Sequence, residues 1–199
     1  VSNTSAVGVR VSANRLRPSN LTGNTGTSTN KVALLELSGT LVGDLDLPTA
    51  GLAPAIGGSN SYGGLIVAPG VSLSLHPGAI LQSNRGGFLQ ILWRMNVDGT
   101  PASPAVITSI IDDAIGGDTN YDGTITTRGY CDWPGISVAV GIVRAANLTI
   151  RSACTAISAY SSASVRIGGK IIGTYNGLVG SPDPTIAARG VNLGKTTGL

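Results

Sequence analysis

The sequence predicts an all-β fold, a parallel β-solenoid in which short strands wind into stacked coils. Three observations predict this class: low charge with abundant Gly, apolar residues that alternate in short bursts, and a repeat of about 21 residues. Charged residues make up 12% of the 199-residue chain and 29 residues are Gly. This composition is typical of many short strands joined by tight turns, because strong helix formers on helical spacing are scarce.

The repeat is clearest in the second half of the chain, where Ile136, Ile157, Leu178 and Leu199 follow one another at intervals of 21 residues. The same interval separates three further apolar pairs, which are Ile150 and Ile171, Val165 and Ile186, and Ile172 and Leu193. A single coil cannot bury its own apolar side, so stacked coils would bury a continuous column. An antiparallel β-sandwich also has many short strands, but it gives no reason for a fixed interval.

Alternation of apolar and small residues predicts the strands themselves. Residues 136–142 and 71–75 both alternate with a strict period of two, which directs one side of a strand inward and the other outward. Gly, Asn, Ser and Pro separate these bursts. No helical segment is predicted between them, as a compact coil of strands requires.

We expect one domain over residues 1–199, in three parts. Residues 1–63 form irregular N-terminal coils or a cap, and 64–138 form coils that carry most of the motifs, with an acidic excursion at 111–133. Residues 134–199 form the regular coils. The turn-rich segments 18–31 and 50–64 are predicted as loops, and the interval loosens to 23 between Leu65 and Phe88.

Composition argues against several functions. The net charge is only +3 and the basic residues are scattered, whereas nucleic-acid binding usually needs a clustered basic face, so we expect no nucleic-acid partner. No apolar run approaches the ~20 residues that cross a bilayer, so we expect no membrane span. The chain begins with Val, which indicates processing or excision from a longer protein.

The acidic excursion contains the segment DDAIGGDTNYDG, residues 112–123, which holds four of the ten acidic residues. Asp118, Asn120 and Asp122 occupy positions 1, 3 and 5 of an EF-hand-like loop, Gly123 occupies position 6, and Thr124 offers its carbonyl at position 7. These oxygens predict a calcium site. The alternative is a polar turn without metal, because Asp and Asn also bond to their own backbone.

Position 12 of that loop is Gly129 instead of the bidentate Glu of an ordinary EF-hand. A calcium ion would therefore need further ligands from Asp112, Asp113 or Asp132. The five carboxylates between residues 112 and 132 would repel one another without a cation. A zinc site of the usual composition is not expected, because His76 is the only histidine and the cysteines are two.

Cys131 and Cys154 are 23 residues apart, which is close to one coil. Neighbouring strands lie about 4.8 Å apart, within the range that a disulfide can bridge, so a coil-to-coil disulfide is one interpretation and two buried thiols are the other. Relative to the Ile136 and Ile157 register the cysteines are offset by two residues, so a bulge or corner must absorb the difference. A disulfide would indicate an oxidising compartment.

Residues 64–138 resemble a module of secreted bacterial right-handed parallel β-helix proteins, the pectin-lyase-like surface proteins. The resemblance rests on GVSLSLHPGAIL, then VDGTPASPAVITSIIDDAIGGDTNYDG, and then DWPGI. It implies a right-handed parallel β-helix, a secreted or cell-surface location, and a large non-enzymatic membership of adhesins, surface-layer-like proteins and appendage components, but it implies no single activity. Cys131 departs from the pattern, since Gly is the usual residue before the Asp-Trp pair.

We expect a non-catalytic structural or adhesive module that self-associates through the open ends of its solenoid and forms a filament or surface layer, with surface glycans as further partners. The alternative is a β-helix that binds or cleaves polysaccharide as a lyase or hydrolase. A glycosidase needs two carboxylates across a groove, and no acid outside the excursion lies one coil from another on a predicted strand. Trp93 and Trp133 are candidate sugar platforms, although Trp133 suits a buried position better.

Overall fold

The computed structural model describes residues 9–21, 24–25, 33–49, 51–57, 63–160, 162–181 and 184–194. Within these ranges the chain forms one 3-10 helix, Pro18–Leu21, and sixteen strands. The strands are β1 Val9–Leu16, β2 Leu34–Leu41, β3 Leu45–Asp46, β4 Ala53–Ile56, β5 Leu65–Val67, β6 Ser72–Leu75, β7 Ile80–Ser83, β8 Phe88–Ile91, β9 Arg94–Asp98, β10 Ala105–Ser109, β11 Trp133–Val138, β12 Ile142–Arg151, β13 Ala153–Tyr160, β14 Ser164–Ile172, β15 Asn176–Ser181 and β16 Thr185–Leu193.

Every strand pair is parallel, and the strands stack in three columns that make a β-solenoid of about seven coils, which confirms the predicted fold class. Face A contains β1, the first half of β2, β4, β7, β10 and the second halves of β12, β14 and β16. Face B contains the ends of β1 and β2 and then β5, β8, β11, β13 and β15. Face C contains β3, β6, β9 and the first halves of β12, β14 and β16.

The 21-residue interval is the length of one coil in the second half of the chain. Ile136 pairs with Ile157 and Ile157 with Leu178 on face B, while Ile150 pairs with Ile171 on face A. Leu199 lies outside the described residues. Alternate side chains of these strands point inward and form a continuous column of Leu, Ile and Val. Burial of each large aliphatic side chain contributes about 1.5–3 kcal/mol.

Two predicted registers are wrong by one residue. Leu193 pairs with Ile171 instead of Ile172, because the register shifts between Ile167 and Gly169 where β14 bends from face C to face A. Leu65 pairs with Leu89 instead of Phe88. A single extra residue at a bulge or corner produces such a slip, and apolar-to-apolar intervals do not reveal it.

Two local predictions are also corrected. Residues 136–142 are not one strand, because β11 ends at Val138 and the chain turns a corner at residues 139–141, where Val140 is 57% exposed. The segment 50–64 is not only a loop, because β4, Ala53–Ile56, lies inside it and pairs with β2 and β7. A Pro in β4 and Gly on either side concealed this strand in the sequence.

Among the described residues, no helix has the length and apolarity needed to span a membrane.

Candidate functional site

The acidic excursion leaves the solenoid where β10 ends at Ser109 and returns where β11 begins at Trp133. It folds back over the outer side of face A, and we call residues 110–132 the strap. Inside the strap, the Thr119 hydroxyl donates a 2.9 Å hydrogen bond to the Ile110 carbonyl, and Thr119 is fully buried. The excursion therefore packs as an ordered layer against the solenoid.

The strap reaches coils that precede it in the chain. Gln82 of β7 donates its side-chain N–H to the Ile115 carbonyl at 3.0 Å. Further along, burial raises the pKa of the Tyr121 hydroxyl, with additional raising by Asp118, while a backbone hydrogen bond from Leu34 lowers it. Tyr121 thus lies against β2, three coils before the strand from which the strap departs. The strap covers polar side chains that point out of face A, and these include Glu36, Gln82 and Thr108.

Asp112 lies at the root of the strap and is 1% exposed. Its carboxylate accepts hydrogen bonds from Arg151 Nε at 2.6 Å and Nη2 at 3.0 Å, and from the Thr108 hydroxyl at 2.7 Å. Arg128 Nε lies 3.7 Å from the same carboxylate. Two guanidinium groups already neutralise Asp112, so the structure assigns this predicted calcium ligand to an ion pair between the strap and the next coil.

The returning arm of the strap, residues 128–132, is held to the later coils. Cys131 and Cys154 form a disulfide that joins this arm to β13. A Cβ placed on Gly173 would lie 2.8 Å from Arg128 Nη1, so the Arg128 side chain extends as far as the coil of β15. Within the described residues, the strap therefore contacts coils from β2 to the turn before β15.

Asp132, the second candidate for completing the metal shell, caps the returning arm. It accepts a 2.7 Å hydrogen bond from the Gly129 amide, and its own amide donates to the Ser152 carbonyl at 2.8 Å. Burial raises the pKa of Asp132, while the Gly129 amide and the nearby Arg85 lower it. The hydrogen bond described for this carboxylate is thus made within the returning arm and not to the acidic turn, residues 118–126.

The acidic turn itself is organised by side-chain to backbone hydrogen bonds. Asp118 accepts hydrogen bonds from the amides of Asp122 and Gly123, both at 3.1 Å. Asp122 Oδ2 accepts hydrogen bonds from the amide and hydroxyl of Thr126 and from the Asn120 amide group at 2.9 Å. This network has the character of consecutive Asx turns, the alternative that the sequence left open.

Two carboxylate oxygens of the strap are buried and have no hydrogen-bond partner, Asp113 Oδ1 and Asp122 Oδ1. Burial raises the pKa of Asp113, and the negative charges of Asp118, Asp122 and Asp112 raise it further. Asp113 therefore lies in the negative field of the neighbouring carboxylates. Thr124, whose carbonyl was a predicted ligand, is exposed. Among the described residues, no three acidic, His or Cys side chains form a group that could hold a metal.

A second group of titratable residues lies on face C and was missed by the sequence analysis. His76 Nδ1 lies 3.2 Å from an Asp98 oxygen, and His76 Nε2 lies 3.6 Å from an Asp46 oxygen. The expectation that no acid outside the excursion lies one coil from another acid concerned carboxylates alone and did not cover a histidine. The 22-residue interval from His76 to Asp98, which is close to one coil, was the available signal in the sequence.

The two tryptophans have different environments. Trp133 is completely buried and donates its indole N–H to the Arg151 carbonyl at 2.8 Å, as its predicted buried position requires. Trp93 is 48% exposed at the corner between faces B and C. Of the two tryptophans, only Trp93 has a ring surface available to a ligand.

The fold and the strap define a parallel β-solenoid with a disulfide-linked strap along one face. Comparison of the chain with protein-family models, with curated proteins and with solved structures gave no match.

Proposed function

We propose that the chain is a non-catalytic structural or adhesive solenoid of the cell exterior, which self-associates by stacking its ends and binds calcium in the strap. One observation carries the stacking proposal. Leu193 continues the inward ladder of Ile150 and Ile171, yet it is 56% exposed. Ile186, which continues the ladder of Val143 and Val165, is 36% exposed.

The first and last strands also have free edges among the described strands, because β1 pairs with β2 and β16 pairs with β14. A parallel strand from a second copy would satisfy these backbone groups and bury the exposed side chains. Exposed arginines lie near both ends, Arg15 and Arg17 at one end and Arg189 at the other. Added salt should screen their repulsion and favour stacking.

Sedimentation velocity and electron microscopy of the chain at low and high salt test end stacking. We expect elongated oligomers that increase with salt and with protein concentration. Leu193→Asp should abolish them, because a carboxylate would be desolvated at the junction. Val140→Asp is the matched control, since Val140 is also exposed but lies at a corner away from the ends. A wild-type chain that stays monomeric under all conditions would refute the stacking proposal.

The calcium proposal rests on Asp113, Asp118 and Asp122 with the Asn120 side-chain carbonyl oxygen. In the described structure these three carboxylates are not grouped closely enough to hold a metal, so calcium binding requires the acidic turn to tighten around the ion. A bound Ca²⁺ would be coordinated by the two unpartnered buried oxygens and would offset the negative charges that, together with burial, raise the pKa of Asp113. Asp112 and Asp132 are left out of this set because arginines and a backbone amide hold them.

Thermal unfolding with calcium and with chelator tests the metal proposal. We expect calcium to raise the melting temperature of the wild type, and we expect Asp118→Asn with Asp122→Asn to remove that rise. The control is Asp44→Asn with Asp46→Asn, a pair of exposed acids on face C. No calcium-dependent rise in the wild type would make the metal proposal wrong.

The disulfide supports an extracellular location, because such bonds persist in oxidising compartments. A second candidate function, binding or cleavage of a polysaccharide, is favoured by the exposed Trp93 and by His76 between two carboxylates. Incubation with acidic and neutral polysaccharides, followed by assays for reducing ends and unsaturated uronates, tests cleavage. Product release that is lost in His76→Ala would replace the structural proposal with this one.

A further inference from the structure

An uncharged ridge runs along the corner where the chain passes from face B to face C. On four consecutive coils the described residues of this corner are 68–71, 92–93, 139–141, and 160 with 162–163. None of these residues is charged. The last three coils each present one large side chain there, Trp93, Val140 and Tyr160, and each is between 48% and 57% exposed. At about 4.8 Å per coil, these three side chains form a line about 10 Å long.

The two flanks of the ridge differ in charge. On one side, the face B strands β5, β8, β11, β13 and β15 contain no charged residue. On the other side, Arg94 follows Trp93 directly at the start of β9, and Arg144 and Arg166 are exposed neighbours on the next two coils of face C. In the part of the chain that the structure describes, these three arginines make no salt bridge. The ridge therefore has a basic border along one side.

The acids of face C lie away from this border. Asp44 and Asp46 belong to the first coil, and Asp98 lies at the far end of β9, where it contacts His76. On the coils of Trp93, Val140 and Tyr160, face C thus has three arginines and one acid. Neighbouring arginines repel each other, and an external group with negative charge would relieve that repulsion.

We propose that the ridge and its arginine border form a docking surface for a bilayer with anionic headgroups, on which the solenoid lies lengthwise. Trp93 and Tyr160 suit the boundary between headgroups and acyl chains, because each combines an apolar ring with a polar tip. Val140 enters the apolar side of that boundary. Arg94, Arg144 and Arg166 reach the phosphate groups, with which arginine forms strong charge-assisted hydrogen bonds.

The shape and chemistry of the ridge favour a bilayer over other occupants. A bilayer offers an apolar layer and a row of phosphates together, and a projecting corner can enter a fluid surface. Small ligands bind in clefts, whereas this corner is convex. Val140 is the most exposed of the three ridge side chains, and it offers a sugar neither a ring face nor a hydrogen bond. A second copy brings one carboxylate for every three arginines on these coils, so most arginines would stay unmatched.

This docking goes beyond the proposed function, because it needs neither end stacking nor calcium. Three apolar side chains and three arginines give a reversible attachment, far from the insertion of a spanning segment. The attachment should weaken when salt screens the arginines, whereas end stacking should increase with salt. The two associations therefore respond to salt in opposite directions.

Co-sedimentation with lipid vesicles tests the docking surface. The vesicles contain phosphatidylcholine alone or with phosphatidylglycerol, and a chelator is present so that calcium does not bridge protein and lipid. We expect the wild type to bind the anionic vesicles at low salt and to leave them at high salt. Tryptophan fluorescence supplies a second readout, because Trp133 is completely buried and a blue shift on binding therefore reports Trp93.

Four variants separate the ridge from the arginines. Val140→Asp should weaken vesicle binding at least about tenfold, because a carboxylate would have to leave water. Leu193→Asp is its matched control, since Leu193 is also exposed but lies on the last described strand, and it should bind as the wild type does. Arg144→Gln with Arg166→Gln should weaken binding about thirtyfold. Lys170→Gln, an exposed change on face A, is the control for this pair.

Circular dichroism of each variant checks the fold, and all changed side chains are exposed. A wild type that stays in solution with anionic vesicles at low salt would overturn the proposal, as would Val140→Asp or the arginine variant binding like the wild type. Binding to soluble heparin without binding to vesicles would overturn it too, and would assign the arginines to an acidic polysaccharide. If the chain binds vesicles but never forms stacks, end stacking fails and the docking surface stands.

Discussion

At the residue scale, the strap shows how position decides what a carboxylate does. Asp112 and Asp113 are adjacent in sequence, yet Asp112 is neutralised by Arg151 and Arg128 while Asp113 keeps an unpartnered buried oxygen. The difference is that Asp112 is paired with an arginine of the next coil, whereas Asp113 has a pKa raised by burial and then by the charges of Asp118 and Asp122. A carboxylate count along the sequence treats the two residues as equivalent.

Asp113→Asn should stabilise the protein at neutral pH in the presence of a chelator. The pKa of Asp113 is higher in the folded chain than the unfolded value of 3.8, so the folded state favours the protonated form. As the pH rises above the unfolded pKa of Asp113, the carboxyl group ionises more readily in the unfolded chain than in the folded chain. Ionisation of Asp113 therefore lowers the stability of the folded state. We expect a higher melting temperature for the variant at pH 7 and no difference below about pH 3.5. A lower melting temperature at pH 7 would show that the negative charge stabilises the strap.

At the scale of the elements, the strand β11 depends on a glycine at its bulge. The register between β11 and β13 shifts between Gly135 and Ile136, from an interval of 20 residues at Trp133 and Ala153 to 21 at Ile136 and Ile157. This shift does not absorb the offset that the 23-residue cysteine spacing required, so that offset falls in the chain before Trp133. Gly135 has φ of +110°, and a Cβ there would lie 1.7 Å from the Thr155 carbonyl oxygen. Only glycine fits at this point of the stack.

Gly135→Ala should therefore destabilise the protein by at least about 2 kcal/mol, because the backbone of the neighbouring coil must move. Gly123→Ala is the matched control, since Gly123 also has positive φ but its Cβ would meet nothing within 4 Å. We expect the control to lose about 1 kcal/mol. Urea unfolding measures both changes, and equal effects would show that backbone conformation matters and the close approach of the coils does not.

The strap is a second element whose stability has a specific source. Removal of the disulfide by Cys131→Ser with Cys154→Ser should cost about 3 kcal/mol, the loop-closure contribution for a loop of this length. We expect faster amide exchange in residues 110–132 before the solenoid unfolds. If the variant keeps both the melting temperature and the exchange rates of the wild type, the hydrogen bonds of Asp112 and Gln82 hold the strap without the disulfide.

At the scale of the whole molecule, a solenoid is a row of coils in which each coil is stabilised mainly by its neighbours. The central coils have neighbours on both sides and the strap over face A, whereas β16 pairs with one described strand. Amide hydrogen exchange should therefore be slowest in β7, β10 and β12 and at least tenfold faster in β16. The gradient should flatten at high protein concentration and high salt if ends stack. Uniform exchange along the monomer would indicate that the chain unfolds as one unit.

The sequence predicted the solenoid because its evidence is local and repeated. Each coil carries the same alternation, so Ile136, Ile157 and Leu178 showed the interval independently of their surroundings. The strap was recognised as an excursion for its charge, but its contacts were not predicted. Gln82 and Tyr121 contact residues that are far away in the sequence, and no repeat interval relates the contacting positions.

The sequence by itself thus determined the fold class, the approximate coil length and the segment that leaves the coil, because apolar alternation and turn residues act within a few positions. The tertiary structure alone decided the register at bulges, the pairing of Asp112 with Arg151, and the contacts of His76 with Asp46 and Asp98 on face C. These features depend on how many residues each corner consumes. One residue more or less moves every later side chain to a new neighbour on the adjacent coil.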